Sequence, residues 1–200
     1  AALMSVESNS HSMNRDEKIA FTVENCRIMG IKILPPDINK SGWDFSIEQD
    51  KESLQGLAIR FGLTAIKHVG TAAIENILAV RKEVGKFTSF THFLQAVDSR
   101  KKNKKTLECL IKVGCMDQFS TRASMLENFD QIRQTAGQFQ SETDGQDNLF
   151  MGMSPKATEI KDSFPQLAEY PEQELLSFEK ELLGLYLTSH PMADALRVVD

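Results

Sequence analysis

The stretch Ala65–Leu78, AIKHVGTAAIENIL, constrains this 200-residue chain more than any other. Apolar residues at helical spacing flank Lys67-His68-Val69-Gly70, and Ile74, Ile77 and Leu78 share one face beyond it. No proline stops the first run, and a single glycine is available to reverse the chain. The pattern therefore predicts two short helices folded back as a hairpin. Gly70 is expected to supply a positive φ or a close approach by a ligand, and Thr71 to cap the second helix. The N–H groups of Val69, Gly70 and Thr71 would then face outward at a helix N-terminus. Unpaired donors and the positive end of the helix dipole suit a phosphate there, with Lys67 adding a full charge. Taken alone, the stretch also fits a plain helical hairpin that merely turns on glycine.

The same plan recurs downstream in NKKTLECLIKVGCMDQFSTRASMLENF. A helix from about Lys104 to Val113, a turn at Gly114 and a helix capped by Ser120 or Thr121 are expected. The connection between the copies carries Arg100, Lys101, Lys102, Lys104 and Lys105. Two such hairpins about a pseudo-twofold axis would offer two anion sites to the two backbones of a duplex. Contacts of that kind position a protein without reading bases, and they weaken with salt. The charge distribution agrees. Gln55–Arg122 holds twelve Lys/Arg against five Asp/Glu, a net +7, within a chain of net −5, so the remainder carries −12.

The fold class expected is mainly α: a tandem hairpin domain with a small β-hairpin, preceded by a helical segment and followed by a linker and a short α/β segment. Ile19, Val23 and Cys26 mark a helix over about Arg15–Met29, ended at Gly30. Ile31 and Ile33 form a short strand before Pro35-Pro36, and WDFSIE pairs with GLAIRFG as a β-hairpin. Core stripes follow at Phe87, Phe90, Phe93, Leu94 and Val97, at Leu107, Leu110 and Ile111, and at Met125, Leu126, Phe129 and Ile132. Between about Gly137 and Pro165 the composition turns to Gln, Ser, Asp, Gly and Thr, as in a flexible linker. Pro171–Leu187 reads as a helix running into an apolar strand. Cys26, Cys109 and Cys115 lack C-x-x-C spacing and are expected to be buried free thiols of a reducing cytosol. The four histidines are scattered, so no metal site is expected. No apolar run reaches membrane-span length, and no signal peptide is visible. The chain reads as a piece of a longer protein.

The paired turns resemble the helix-hairpin-helix motif, which grips the nucleic-acid backbone. That motif normally has glycine two residues before Gly70, where this chain has His68. Four segments taken together, ENCRIMGIKILPPDIN, IRFGLTAIKHVGTAAIENIL, NKKTLECLIKVGCMD and EKELLGLYLTSHPM, resemble the C-family of bacterial replicative polymerases, the DNA polymerase III alpha subunits. The resemblance implies four regions. These are the C-terminal part of the fingers over 1–42, a tandem helix-hairpin-helix duplex-binding domain over 43–136, a linker over 137–168, and a segment over 169–200 leading to an oligonucleotide-binding fold. It implies that Lys67, His68, Val69, Gly70, Thr71, Arg100, Lys101, Lys102, Lys104, Lys105 and Gly114 meet double-stranded DNA.

In GQDNLFMG, Gln146, Leu149 and Phe150 look like that family's internal clamp-binding motif, with the sliding clamp and other holoenzyme subunits as partners. An exposed Leu-Phe pair is costly unless a partner pocket receives it. The implied parent is a cytoplasmic DNA-directed DNA polymerase whose catalytic aspartates and Mg lie in an upstream palm. No catalytic residue and no cofactor are then expected in this chain. Two other readings stand beside it: a stand-alone helix-hairpin-helix repair module, glycosylase-like with Asp98 as the candidate catalytic Asp, and a purely structural connector.

Overall fold

The computed structural model describes residues 1–8, 14–53, 56–97, 103–132, 162 and 165–188. Among these, helices dominate and one three-stranded sheet is present, the mainly α architecture expected. Helix α1 (Ala2–Ser8) leads to α2 (Arg15–Ile28), whose buried face is Ile19, Val23 and Cys26, as the spacing predicts. The opposite face leaves Phe21 and Ile28 exposed. The end of α2 is closed by backbone bonds, Gly30 N–H to the Arg27 carbonyl and Ile31 N–H to the Cys26 carbonyl at 2.9 and 2.8 Å.

The sheet holds β1 (Lys32–Leu34), β2 (Ser46–Gln49) and β3 (Leu57–Arg60) in the order β1-β3-β2. β2 and β3 form the expected antiparallel pair, with Ile47 opposite Ile59. β1 joins the other edge of β3 in parallel, with Ile33 opposite Ile59. A parallel pairing needs a long crossover, so nothing local announces it. Buried Arg60 locks this corner, pairing with Glu48 across the strands and donating to the Pro35 carbonyl at 2.7 Å.

Four further helices succeed the sheet: α3 (Thr71–Val84), α4 (Phe90–Ala96), α5 (Lys104–Lys112) and α6 (Arg122–Glu127), with 129–132 again helical. Their apolar stripes merge into one core, with Ile77, Phe87, Phe90, Phe93, Leu107, Leu110 and Met125 fully enclosed. Helix α7 (Glu172–Leu183) adds Leu182 and Leu183 to it. The strand expected after α7 does not form. Glu179 accepts the N–H groups of Leu187 and Thr188 at 2.7 and 3.1 Å, and Arg27 donates to the carbonyls of Tyr186 and Leu187 at 2.7 and 2.8 Å. Side chains thus satisfy the backbone that a neighbouring strand would otherwise pair. Leu185 and Leu187 are still buried. Cys26, Cys109 and Cys115 are buried free thiols, as expected.

Candidate nucleic-acid interface

The first hairpin differs from its expected shape on the incoming side. In place of a helix there is one 3-10 turn, Leu63–Ala65, followed by Ile66 in extended backbone. Ala65 and Ile66 donate within the turn, to the carbonyls of Gly62 and Leu63 at 3.3 and 3.2 Å, while the other donors of this arm bond outward. Leu63 and Thr64 donate to the carbonyls of Gly42 and Trp43 at 3.1 and 3.2 Å, and Lys67 donates to Leu182 at 2.9 Å. The turn itself is strained at His68, whose φ of +63° makes it the positive-φ non-glycine among the described residues. Gly70, expected to carry that conformation, has φ −71° and ψ 150°, and it is the N-cap of α3. Thr71 is accordingly the first helical residue and not the cap. The left-handed step thus sits two residues earlier than the glycine suggested.

Beyond the turn lies an open helix start. Among the described residues the N–H groups of Gly70, Thr71 and Ala72 meet no acceptor; the first to bond is Ala73, to the Gly70 carbonyl at 3.0 Å. All three residues are exposed. A Cβ built on Gly70 would meet nothing within 4 Å, so internal packing does not require glycine there. Val69 is buried and anchors the turn from beneath. The Lys67 ammonium, expected to add a full charge beside the turn, is 2.7 Å from the Asp16 carboxylate.

The second turn is built differently. Gly114 lies at φ +82° and closes α5: its N–H and that of Cys115 donate to the carbonyls of Ile111 and Leu110 at 2.9 and 3.1 Å. The space beside its α-carbon is filled, since a Cβ would come 2.7 Å from an Asp117 carboxylate oxygen and would collide with the Arg122 guanidinium. Arg122 donates to the Lys112 carbonyl at 2.8 Å and pairs with Asp117 at 2.9 Å, bracing the loop from inside. Thr121, one of the two expected caps, accepts from Ser124 N–H at 3.2 Å. The other α6 donors are engaged too. Glu169 takes the N–H groups of Arg122 and Ala123 at 2.8 and 3.2 Å. The second half of the expected pair of anion sites is therefore already occupied by the chain's own carboxylate. Beneath this turn Cys115 is enclosed, and burial pushes its thiol well above the ordinary value of 9.0.

The start of α4 is filled in the same way, with Asp162 accepting the N–H groups of Phe90 and Thr91 at 2.9 and 2.8 Å. Neither Asp162 nor Glu169 carries a local signal for this. They act across 72 and 47 residues of chain, which explains why the sequence pattern misses them.

Of the basic run, Arg100, Lys101 and Lys102 lie outside the described residues. Lys104 pairs with Asp130 at 2.8 Å, while exposed Lys105 has no ion-pair partner among the described residues. Asn103 caps α5 by accepting from Thr106 N–H at 2.7 Å, and the Thr106 hydroxyl donates to the His68 carbonyl at 3.3 Å. The first turn of α5, carrying Lys104 and Lys105, is thereby set against the first hairpin turn. Gln146, Leu149 and Phe150 lie outside the described residues, as does Asp98. Among the described residues no group of three or more His, Cys, Asp or Glu could hold a metal ion. Among them, too, no helix is long and apolar enough to cross a membrane.

A family model described as a helix-hairpin-helix motif matches residues 30–125. The DNA polymerase III subunit alpha of Vibrio cholerae is 36% identical over 187 residues, covering 92% of this chain and 16% of the relative. The protein of the same name from Campylobacter jejuni is 35% identical over 195 residues, covering 96% and 15%. That from Escherichia coli K12 is 34% identical over 190 residues, covering 94% and 16%. The chain thus spans about one-sixth of the length of these relatives. With the match extending over nearly all of its own length, the chain belongs to the DNA polymerase III alpha-subunit family, as a segment containing the helix-hairpin-helix motif.

Proposed function

We infer that this segment holds duplex DNA by its backbone, without sequence preference, for a replicative DNA polymerase. The observation that carries the reading is the open start of α3. Three consecutive N–H groups, at Gly70, Thr71 and Ala72, have no acceptor among the described residues, while the starts of α4 and α6 are filled by carboxylates. Aligned donors at the positive end of a 14-residue helix suit a phosphate oxygen. Lys105 and Lys104 on the abutting turn, with Lys67 and the run Arg100–Lys102, supply the charge that attracts the duplex. His68 borders the same turn. Gly114 contributes through the shape of the second hairpin and not through free amides.

Such a grip is electrostatic. Each phosphate neutralised contributes a slope of about −0.9 to log K against log salt. Fluorescence anisotropy with duplexes of unrelated sequence should therefore give one common affinity that falls steeply as salt rises. Equal affinity at low and high salt would reject the reading.

The parent activity proposed is DNA-directed DNA polymerisation in the cytoplasm, within a holoenzyme. Mg bound by carboxylates of the palm would supply the phosphoryl-transfer chemistry. This chain's contribution is to bind and orient the product duplex. Gln146, Leu149 and Phe150 are proposed to tether the polymerase to the sliding clamp, the Gln amide orienting the segment and the two apolar side chains filling a cleft. Leu149→Ala with Phe150→Ala should abolish clamp pulldown and leave duplex binding intact. Retained pulldown removes that assignment.

A further inference from the structure

Asp16 stands where three segments cross. Its carboxylate holds the Lys67 ammonium at 2.7 Å. Behind it lies Gly184, where a Cβ would come 2.9 Å from the Asp16 Cβ. Its neighbour Arg15 donates to the Thr64 carbonyl at 2.7 Å, so the first turn of α2 is fastened at two points to the arm entering the hairpin turn. The main chain of Lys67 is held independently, through its N–H to the Leu182 carbonyl at 2.9 Å. The ammonium can therefore leave Asp16 by side-chain rotation alone, with the backbone in place.

The two partners are 34% and 42% exposed, so water screens the pair and its net worth is small. Lys67 also lies three residues before the N-cap of α3, whose first donors are open. A phosphate seated on those donors offers the ammonium a competing anion. We propose that Asp16 is an electrostatic latch: it holds Lys67 away from the hairpin turn when no polyanion is bound, and a backbone phosphate takes Lys67 over. The proposal rests on the duplex-binding reading above. It adds that the first hairpin exists in a held and a released form, and that the release reaches α2.

The test is a double-mutant cycle on the 200-residue chain, with duplex affinity read by fluorescence anisotropy at low salt. Asp16→Asn should bind about two- to fivefold more tightly than wild type. Removing any carboxylate near DNA relieves some repulsion, so the same change is also made in a Lys67→Met background. The latch requires a larger gain with Lys67 present than in the Lys67→Met background. Equal gains in both backgrounds, or no gain at all, overturn it. If Asp16→Asn unfolds, as judged by thermal melting, Asp16→Ser takes its place in the cycle with the same expected and overturning results. Failure of the wild-type chain to bind any duplex would instead overturn the duplex-binding reading, and the latch with it.

Discussion

The carboxylate of Glu169 accepts the backbone N–H of Arg122 at 2.8 Å, seating a negative charge on the helix start that follows the second hairpin turn. The corresponding start after the first turn, at Gly70–Ala72, has no such partner among the described residues. Two turns that look like copies in sequence therefore differ in electrostatic state. The first presents free donors, whereas the second has turned its donors into internal cohesion.

Removing that carboxylate should weaken the fold and spare the open site. Glu169→Gln loses the charge–dipole contact at α6, with an expected loss of about 0.5–1 kcal/mol; Glu169→Ala should lose about 1–2 kcal/mol. Urea unfolding should show a lower midpoint at unchanged slope. Duplex affinity should not fall, because the Gly70–Ala72 donors are untouched.

The two turn glycines should respond oppositely to alanine. At Gly114 the positive φ and the filled space beside the α-carbon make Gly114→Ala costly, by about 2–4 kcal/mol. At Gly70 the backbone suits any residue and the space is empty. Reduced freedom of the unfolded chain there offsets the poorer capping by alanine, and Gly70→Ala should stay within about 0.5 kcal/mol of wild type. Its duplex affinity should nevertheless drop, since the methyl group stands where a phosphate would approach.

His68 carries left-handed backbone that an L-residue adopts at a cost of about 1–2 kcal/mol, of which the chain-entropy penalty of glycine returns a part. His68→Gly should therefore raise stability by about 0.5 kcal/mol. His68→Val, with a branched Cβ at positive φ, should lower it by about 1–2 kcal/mol. Thermal or urea unfolding of the two variants checks both signs.

The buried thiols give a chemical and a pH readout. In the native chain Cys26, Cys109 and Cys115 should resist alkylation, and all three should react once urea unfolds it. Burial raises the Cys115 thiol, so the folded form keeps its proton at pH values where the unfolded form has lost it. The associated stability is complete below the unfolded value of 9.0 and is lost as pH climbs above it. Urea midpoints should fall from about pH 9 upward, and Cys115→Ala should flatten that fall while lowering stability overall.

Much of the fold is legible in local pattern. The stripes at Ile74 and Ile77, Phe90 and Phe93, and Leu107, Leu110 and Ile111 all reach the core, because helical spacing alone places them on one face. The antiparallel pairing of β2 with β3 is equally local. The parallel addition of β1 is not, since its partner lies across the Pro35-Pro36 crossover. The apolar run Leu185–Leu187 looks like a strand, yet Glu179 and Arg27 satisfy its backbone in irregular form. The arm at Leu63–Lys67 looks helical, but its Leu63, Thr64 and Lys67 donors go to Gly42, Trp43 and Leu182.

By itself, the order of residues determined that there are two chain reversals, a basic stretch between them and three enclosed thiols. Periodicity and composition act over one or two turns of chain, and each residue meets neighbours its own spacing dictates. Only the tertiary structure decided which helix start remains open and which lysine is held. Those outcomes depend on Asp162, Glu169 and Asp16, carboxylates brought in by the path of the chain from far along the sequence, and a charge arriving through space leaves no mark beside the residues it meets.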